Sequence, residues 1–327
     1  MTSNGYRVTG AAVLVGVALL APSRVETARK FSEWSMPVNL GPVVNSGFAD
    51  FAPQISTSGL SLYFTSTRPD SFGGEDLWVS QRASSSDPWG PPVNLGSTIN
   101  TGSNERSPAL SGNGHLLFFA TDRPGGVGAL DIWISWRADT HDDFAWEPSV
   151  NLGTGINTPA TDAGPSFFEN DGQTNRSRRR RGAEIPQLYM ASNRPGGLGN
   201  LDIYVGAVPG GWFGPPVLVA ELSSPQIDLT PSIRRDGLEI VIASGRAGTV
   251  GGQDLWVSTR KSVHDVWSVP VNLGPVVNSV FTENFPSLSF DGETLFFNSN
   301  RPDGFGESDL YVSSRTERDD DDNDAGR

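Results

Sequence analysis

The sequence predicts an all-β protein: a five-bladed β-propeller of four-stranded antiparallel blades, closed by an N-terminal strand that completes the last blade. Three observations predict it. One phrase recurs five times between residues 34 and 315, and its sharpest mark is an Arg followed eight positions later by an Asp. The pairs are Arg68/Asp76, Arg123/Asp131, Arg194/Asp202, Arg246/Asp254 and Arg301/Asp309. Within each copy the apolar residues alternate with period two, the period of a strand. The 38 Gly and 24 Pro among 327 residues call for many tight turns and few helices. A module of about 55 residues used five times is one supersecondary unit whose copies stack to bury their apolar faces.

In chain order, Arg7 precedes an apolar run from Val8 to Leu20, with small residues at Ala21, Ser23 and Ala28. Residues 1–28 read as a secretory signal peptide, the rival being an uncleaved anchor. The first repeat then supplies the pattern. Ala52 to Ser56 is a short extended stretch closed by Thr57-Ser58-Gly59. Leu60 to Ser66 is a second strand, with Leu62 and Phe64 on one face and Tyr63 on the other. Arg68 to Gly74 is a turn, and Asp76 to Ser80 is a third strand. Trp89 to Gly96 is the fourth, with Pro where a missing donor is harmless. Trp34, Trp89, Trp146, Trp212 and Trp267 mark the starts of successive units.

The phase of the repeat adds a closure. The array opens on a fourth strand, Trp34 to Leu40, and ends on a third strand at Ser313. The ring loses its free edges only if Val38-Asn39-Leu40 pairs beside Asp309 to Ser313. Unit three carries an insertion, residues 173–187, with Arg176, Arg178, Arg179, Arg180 and Arg181 at the turn between first and second strands. It reads as a tolerated surface loop, against a contact for an acidic partner or a processing site. Residues 316–327 read as an acidic, disordered tail.

The net charge of −13 excludes a nucleic-acid partner held by phosphate neutralisation. The absence of Cys excludes disulfides and thiolate metal sites. His115, His141 and His264 are isolated, so no zinc-type cluster is expected, and no nucleophile elbow or phosphate loop is present. No cofactor is expected; the Asp run of the tail lacks the spacing of a calcium loop.

The residues with chemistry to offer are carboxylates. Each unit places one acid three positions before the Pro of its first strand: Asp50, Glu105, Asp162, Asp228 and Glu283. Because first strands line a propeller's channel, these five are the ligand-binding candidates at its mouth, suited to a cation or a polyol. The competing role is scaffolding, through an Arg of the R-P-x-G turn or through turn amides. The ten residues of the Arg/Asp pairs are assigned a structural role, as a clamp on the turn between second and third strands. Asn39, Asn94, Asn151 and Asn272, with Asn45, Asn100, Asn157 and Asn278, are expected to bond backbone at strand ends. Unit four departs there with Leu218 and Ser224.

The stretch Glu283 to Val312, read as acid-x-x-P-x-L-S-x-D-G-x-x-L-x-F-x-S-x-R-P-x-G-x-G-x-x-D-L-Y-V, resembles the WD40-like PD40 repeat of TolB-type β-propellers. The resemblance spans residues 34 to 315 and implies a propeller of the cell envelope that binds protein partners. The chain differs from TolB in having five repeats where that family member has six blades and a separate α/β domain. The expectation is therefore an exported, non-enzymatic propeller, periplasmic or secreted. It would bind an envelope protein or glycan through loops at one channel end, with no membrane span after signal cleavage. The alternative is a carbohydrate-active hydrolase or lyase using channel carboxylates, which needs acids that differ between blades.

Overall fold

Each copy of the repeat becomes one antiparallel sheet in the computed structural model, which describes residues 31–169 and 185–318. Blade 1 is β2 (Asp50–Ile55), β3 (Ser61–Ser66), β4 (Asp76–Gln81) and β5 (Val93–Asn94). Blade 2 is β6 (Glu105–Leu110), β7 (Leu116–Thr121), β8 (Asp131–Trp136) and β9 (Val150–Asn151). Blade 3 is β10 (Asp162–Phe168), β11 (Gln187–Ser192), β12 (Asp202–Ala207) and β13 (Val217–Leu218). Blade 4 is β14 (Asp228–Ile233), β15 (Glu239–Ser244), β16 (Asp254–Thr259) and β17 (Val271–Asn272). Blade 5 is β18 (Glu283–Leu288), β19 (Thr294–Ser299) and β20 (Asp309–Ser314), completed by β1 (Val38–Asn39). The closure is as the phase of the repeat requires: Val38 pairs with Val312 and Asn39 with Tyr311.

Alternation within strands drives the stacking. Leu62 and Phe64 pack against Phe296 and Leu310 of blade 5, while Tyr63, Leu77 and Val79 pack against Leu117 and Phe119 of blade 2. Every blade thus buries both faces, and the first strands β2, β6, β10, β14 and β18 meet around the axis. Antiparallel order gives the ring two ends. The strand-start end carries the turns between second and third strands and the loops that enter the next blade. There, a turn of one blade rests on the entering loop of the next, which is why Gly is needed. A Cβ on Gly251 would lie 1.6 Å from the Phe281 carbonyl oxygen, and one on Gly306 1.9 Å from that of Phe48.

The innermost strands hold a feature that periodicity did not reveal. Ala52, Ser107, Gly164, Thr230 and Phe285 all have positive φ, between 43° and 56°, and each precedes the Pro of its strand. The pairing register shifts at this point in every blade. Five bulges therefore constrict the axis, where these residues and their prolines leave a cavity of only about 20 Å³. Ser hydroxyls sew three seams of this waist. Ile55, Leu288 and Ile233 N–H groups donate to Ser287, Ser232 and Ser166.

Two alignments read from the sequence are corrected. Phe213, not Trp212, is the counterpart of Trp89: Gly214 N–H bonds the Ala207 carbonyl as Gly90 bonds that of Gln81, and Phe213 packs edge-on to Phe118. Trp212 is left 81% exposed. Its identity as Trp masked a one-residue offset. Likewise Ser223, not Ser224, takes the place of the second Asn, its hydroxyl accepting from Ile203 N–H. Of the insertion 173–187, only Ile185 onward is described, with Gln187 starting β11; residues 1–30, 170–184 and 319–327, and the expectations placed on them, lie outside the described residues.

Leu218 exposes what the regular Asn does. In the other four blades Asn39, Asn94, Asn151 and Asn272 donate Nδ2 to Asp309, Asp76, Asp131 and Asp254 at 2.7–2.9 Å. With Leu218 in that place, Oδ1 of the buried Asp202 has no hydrogen-bond partner. Leu218→Asn should restore the bond. A hydrogen bond to a charge contributes about 1.5–3 kcal/mol and the lost half-buried packing offsets about 1. The thermal midpoint should rise by about 2–4 °C; a lower midpoint would contradict this account.

Candidate functional site at the strand-start mouth

The five first-strand acids open each innermost strand and are wholly buried. Asp50 shows the pattern. Oδ1 accepts from Ser66 Oγ at 2.6 Å and Arg68 Nη2 at 2.6 Å, while Oδ2 accepts from Ser46 N–H and Oγ at 2.6 and 2.7 Å. Arg123, Arg194, Arg246 and Arg301 make the same ion pair with Glu105, Asp162, Asp228 and Glu283, at 2.6–3.1 Å. Each guanidinium also reaches the entering loop, Arg68 Nη2 bonding the Val44 carbonyl, and lies over aromatic rings such as Phe64 and Trp78 at 5.1–5.2 Å. The side chains expected to ring the mouth thus face inward into these cages, with both oxygens engaged.

The Arg and Asp of the spaced pairs do not clasp each other. Arg goes back to the first-strand acid. Asp76 accepts from the turn amides Phe72 and Gly73 and from Asn94. Asp131 and Asp309 act in the same way toward Val127, Gly128 and Asn151, and toward Phe305, Gly306 and Asn39. Asp202 receives Leu198 and Gly199 N–H, and Asp254 receives Val250 and Gly251 N–H. The turn is held through its Asp and the turn amides rather than by an Arg–Asp clasp, because Arg finds a buried charge on the adjacent first strand.

What distinguishes the blades lies one residue further along. The position after the acid is Phe51, Arg106, Ala163, Leu229 or Asn284, all partly exposed. The preceding blade contributes Ser308, Glu75, Leu130, Leu201 or Gln253, respectively, whose carbonyl accepts from the N–H of the adjoining acid. The seam between blades 1 and 2 is charged: Glu75 Oε2 lies 2.7 Å from Arg106 Nε, without the alignment of a hydrogen bond. Asp122 beside them accepts from Asn104 N–H and Nδ2 at 2.9 and 2.8 Å. Across the ring the seam of blades 4 and 5 carries amides, Asn284 Nδ2 donating to Gln253 at 2.5 Å. Between blades 3 and 4 the seam is apolar, with Leu201 and Leu229 packed against one buried cluster. Phe51 and Phe285 pack at 5.5 Å on the blade 5 to blade 1 side.

The two carboxyls of the charged seam are driven apart. Burial pushes Glu75 above its ordinary value; Arg106 opposes this and the nearby Asp122 adds to it. Asp122 meets the same upward push from partial burial, but the Asn104 hydrogen bonds and Arg106 outweigh it and hold the carboxyl low. Sequence reasoning missed Glu75, Asp122, Arg106, Gln253 and Asn284 because it sought what the copies share. The signal was in aligned columns where they differ.

A second hollow of about 70 Å³ lies at the opposite, strand-end mouth, lined by Ile55, Leu110, Phe168 and Leu288 among others. The narrow waist separates it from the strand-start mouth. Among the described residues no group of three or more His, Asp or Glu is placed to hold a metal ion, and no helix is long and apolar enough to cross a membrane.

No family model and no curated protein matches the chain. Solved structures do. A thermostable family-43 glycoside hydrolase is 13% identical with a TM-score of 0.57, over 86% of this chain and 94% of that one. An α-L-arabinofuranosidase from Lactobacillus brevis is 15% identical with a TM-score of 0.58, over 87% and 96%. TolB from Acinetobacter baumannii is 12% identical with a TM-score of 0.46, over 83% and 55%. At these identities the likeness to the two hydrolase structures bears on the fold alone, and agrees with the five four-stranded sheets described above.

Proposed function

We propose that the chain is a carbohydrate-active propeller that hydrolyses a glycosidic bond at the strand-start mouth, with Glu75 as proton donor and Asp122 as the ionised partner. The observation that carries this reading is the seam of blades 1 and 2. There two carboxyls are pushed to opposite protonation, the arrangement that acid and base roles need, at positions where no other blade has an acid. Asp122 caps the Asn104 N–H as Thr67, Asn193 and Asn300 cap theirs, and Ser308, Leu130, Leu201 and Gln253 stand in place of Glu75. Amides on the far wall and the Phe51–Phe285 pair supply the planar polar groups and apolar surface that suit a sugar ring. Proteins described as glycoside hydrolases share the fold, which makes this a reaction the fold can carry. The same reading retains the exported location expected from residues 1–28.

Binding without turnover is the second reading. Arg106, at 2.7 Å, favours an ionised Glu75. A panel of chromogenic α-L-arabinofuranosides and other glycosides separates the two. The expected result is turnover by the parent, lowered about 10²–10⁴-fold in Glu75→Gln. A parent that binds oligosaccharide without turnover selects the second reading, and one that does neither sinks both.

The direction of the Glu75 shift also sets a stability slope. A carboxyl raised on folding contributes stability that is fully present below the ordinary value of 4.5 and lost as pH rises through the raised value. Melting Glu75→Gln and parent between pH 4 and 8 should therefore show the variant gaining on the parent as pH rises. A constant difference across that window would refute the upward shift.

A further inference from the structure

The loops of the strand-start end offer a comparison that the repeat itself supplies. Two residues before each first-strand acid stand Phe48, Ser103, Ala160, Gln226 and Phe281. Three residues before the cage acid, blade 5 has Val280 where the others have Gly47, Gly102, Pro159 and Pro225. Seven before it stand Val43, Thr98, Gly155, Glu221 and Val276. The fold therefore does not need large apolar residues at these places, since small or polar ones serve in three blades. Yet the two loops flanking blade 5 carry five of them, all exposed: Val43, Phe48, Val276, Val280 and Phe281. The turn that holds Phe305 rests on the carbonyls of the Phe48 loop, and the turn that holds Val250 rests on those of the Phe281 loop. Phe305 and Val250 are themselves about half exposed and extend the same apolar crescent.

Charge around the crescent has one sign. Asp303 and Glu307 border Phe305, and Asp70 stands in the next turn, all exposed. Every described Arg at this end, namely Arg68, Arg106, Arg123, Arg194, Arg246 and Arg301, is ion-paired to a carboxylate. The only two Lys of the chain, Lys30 and Lys261, lie outside these loops and turns. An apolar surface with acidic borders and no spare cation complements an apolar polypeptide that carries basic residues. The same sign of charge, on a chain of net charge −13, opposes an anionic lipid surface and a second copy of this face.

We infer that the strand-start face over the two loops flanking blade 5 is a docking surface for an apolar, basic segment of a protein partner. It uses residues distinct from those of the charged seam, so it stands or falls separately from the glycosidase reading.

The test uses two labelled 15-residue peptides, one alternating Leu with Arg and the other alternating Leu with Glu. Binding to the full chain is read by fluorescence anisotropy. Phe48→Ser and Phe281→Gln are combined in one variant, residues that blades 2 and 4 already accommodate at those positions. The Leu/Arg peptide should bind the parent, weaken at least tenfold in the double variant, and weaken with salt. The Leu/Glu peptide should not bind. Equal binding of the Leu/Arg peptide to parent and variant overturns the inference, as does equal binding of both peptides or no binding at all. A parent that sediments as a dimer, converted to monomer by the double variant, would assign the face to a second copy instead and also overturn it. Glycoside turnover measured on the same variant should match the parent, which keeps failure of the docking surface distinguishable from failure of the catalytic reading.

Discussion

Deleting residues 34–41 should abolish the cooperative unfolding of the whole ring, not merely loosen one end. The segment supplies the outer strand of blade 5 from the far end of the sequence. It brings the Val38–Val312 and Asn39–Tyr311 pairing, and the hydrogen bonds from Leu40 N–H to the Leu310 carbonyl and from Ser35 N–H to that of Ser314. It also brings the 2.9 Å bond from Asn39 to Asp309 and the Trp34 ring, which lies 4.3 Å from the Arg315 guanidinium carbon. Without it β20 becomes a free edge, and blades 5 and 1 lose the covalent and hydrogen-bonded link that joins them. Whole domains are stable by only about 5–15 kcal/mol, so losing closure removes a large part of the total. The milder change Asn39→Leu reproduces what blade 3 already tolerates with Leu218, and should lower stability by about 1–3 kcal/mol. Thermal unfolding followed by far- and near-ultraviolet circular dichroism checks both. A deletion variant that melts like the parent would show that the ring does not depend on its latch.

The closure was legible because it follows from counting. Five third strands with four following outer strands leave one vacancy, and a spare fourth-strand phrase stands at residues 34–41. Blade number and strand identity were legible for a similar reason: each copy repeats the same alternation, so a misreading in one is corrected by four others. Where a copy deviates, that safeguard fails. Trp212 matches the expected residue one position too early, Ser224 stands one position after the true counterpart of the second Asn, and only the hydrogen bonds of Gly214 and Ser223 reveal the offset. The pairing of Arg with acid was half legible. Residue types fixed that a guanidinium and two carboxylates share each turn, but not which carboxylate the Arg meets. That depends on Asp76 being occupied by Phe72 and Gly73 amides, and on the first-strand acid being enclosed beside Ser66. The left-handed residues before the channel prolines left no trace in the pattern, because Ala52, Ser107, Thr230 and Phe285 share no side-chain property. The charged seam was hidden differently. Glu75 and Arg106 are 31 residues apart, and only the stacking of blade 1 on blade 2 makes them neighbours.

The second large effect concerns the cages. Asp50→Ala, Glu105→Ala, Asp162→Ala, Asp228→Ala and Glu283→Ala should each lower stability by about 3–5 kcal/mol, the usual consequence of removing one partner of a buried ion pair. Each change removes the acceptor of the guanidinium, whose side chain is 9–17% exposed, of the Ser or Thr hydroxyl of the second strand and of the loop amide, and in the cages of Asp50, Glu105, Asp162 and Glu283 of a loop hydroxyl as well. The destabilisation arises from the uncompensated charge more than from the lost attraction. Removing both charges should therefore recover part of it, so Asp228→Leu combined with Arg246→Met should be more stable than Asp228→Ala alone. Blade 4 suits this cycle because the residue before Ala243 is Ile242 where blades 1, 2 and 5 have Phe, which leaves room for a flexible thioether beside Trp256. Thermal unfolding of the five single variants and the one double variant decides the matter. If all five midpoints fall by a similar amount, the carboxylates serve the ring alike and chemistry is confined to groups that differ between blades, Glu75 and Asp122 first among them. If one midpoint stays level or rises, that acid is held against the stability of the fold, and the catalytic reading moves from the seam of blades 1 and 2 to that cage.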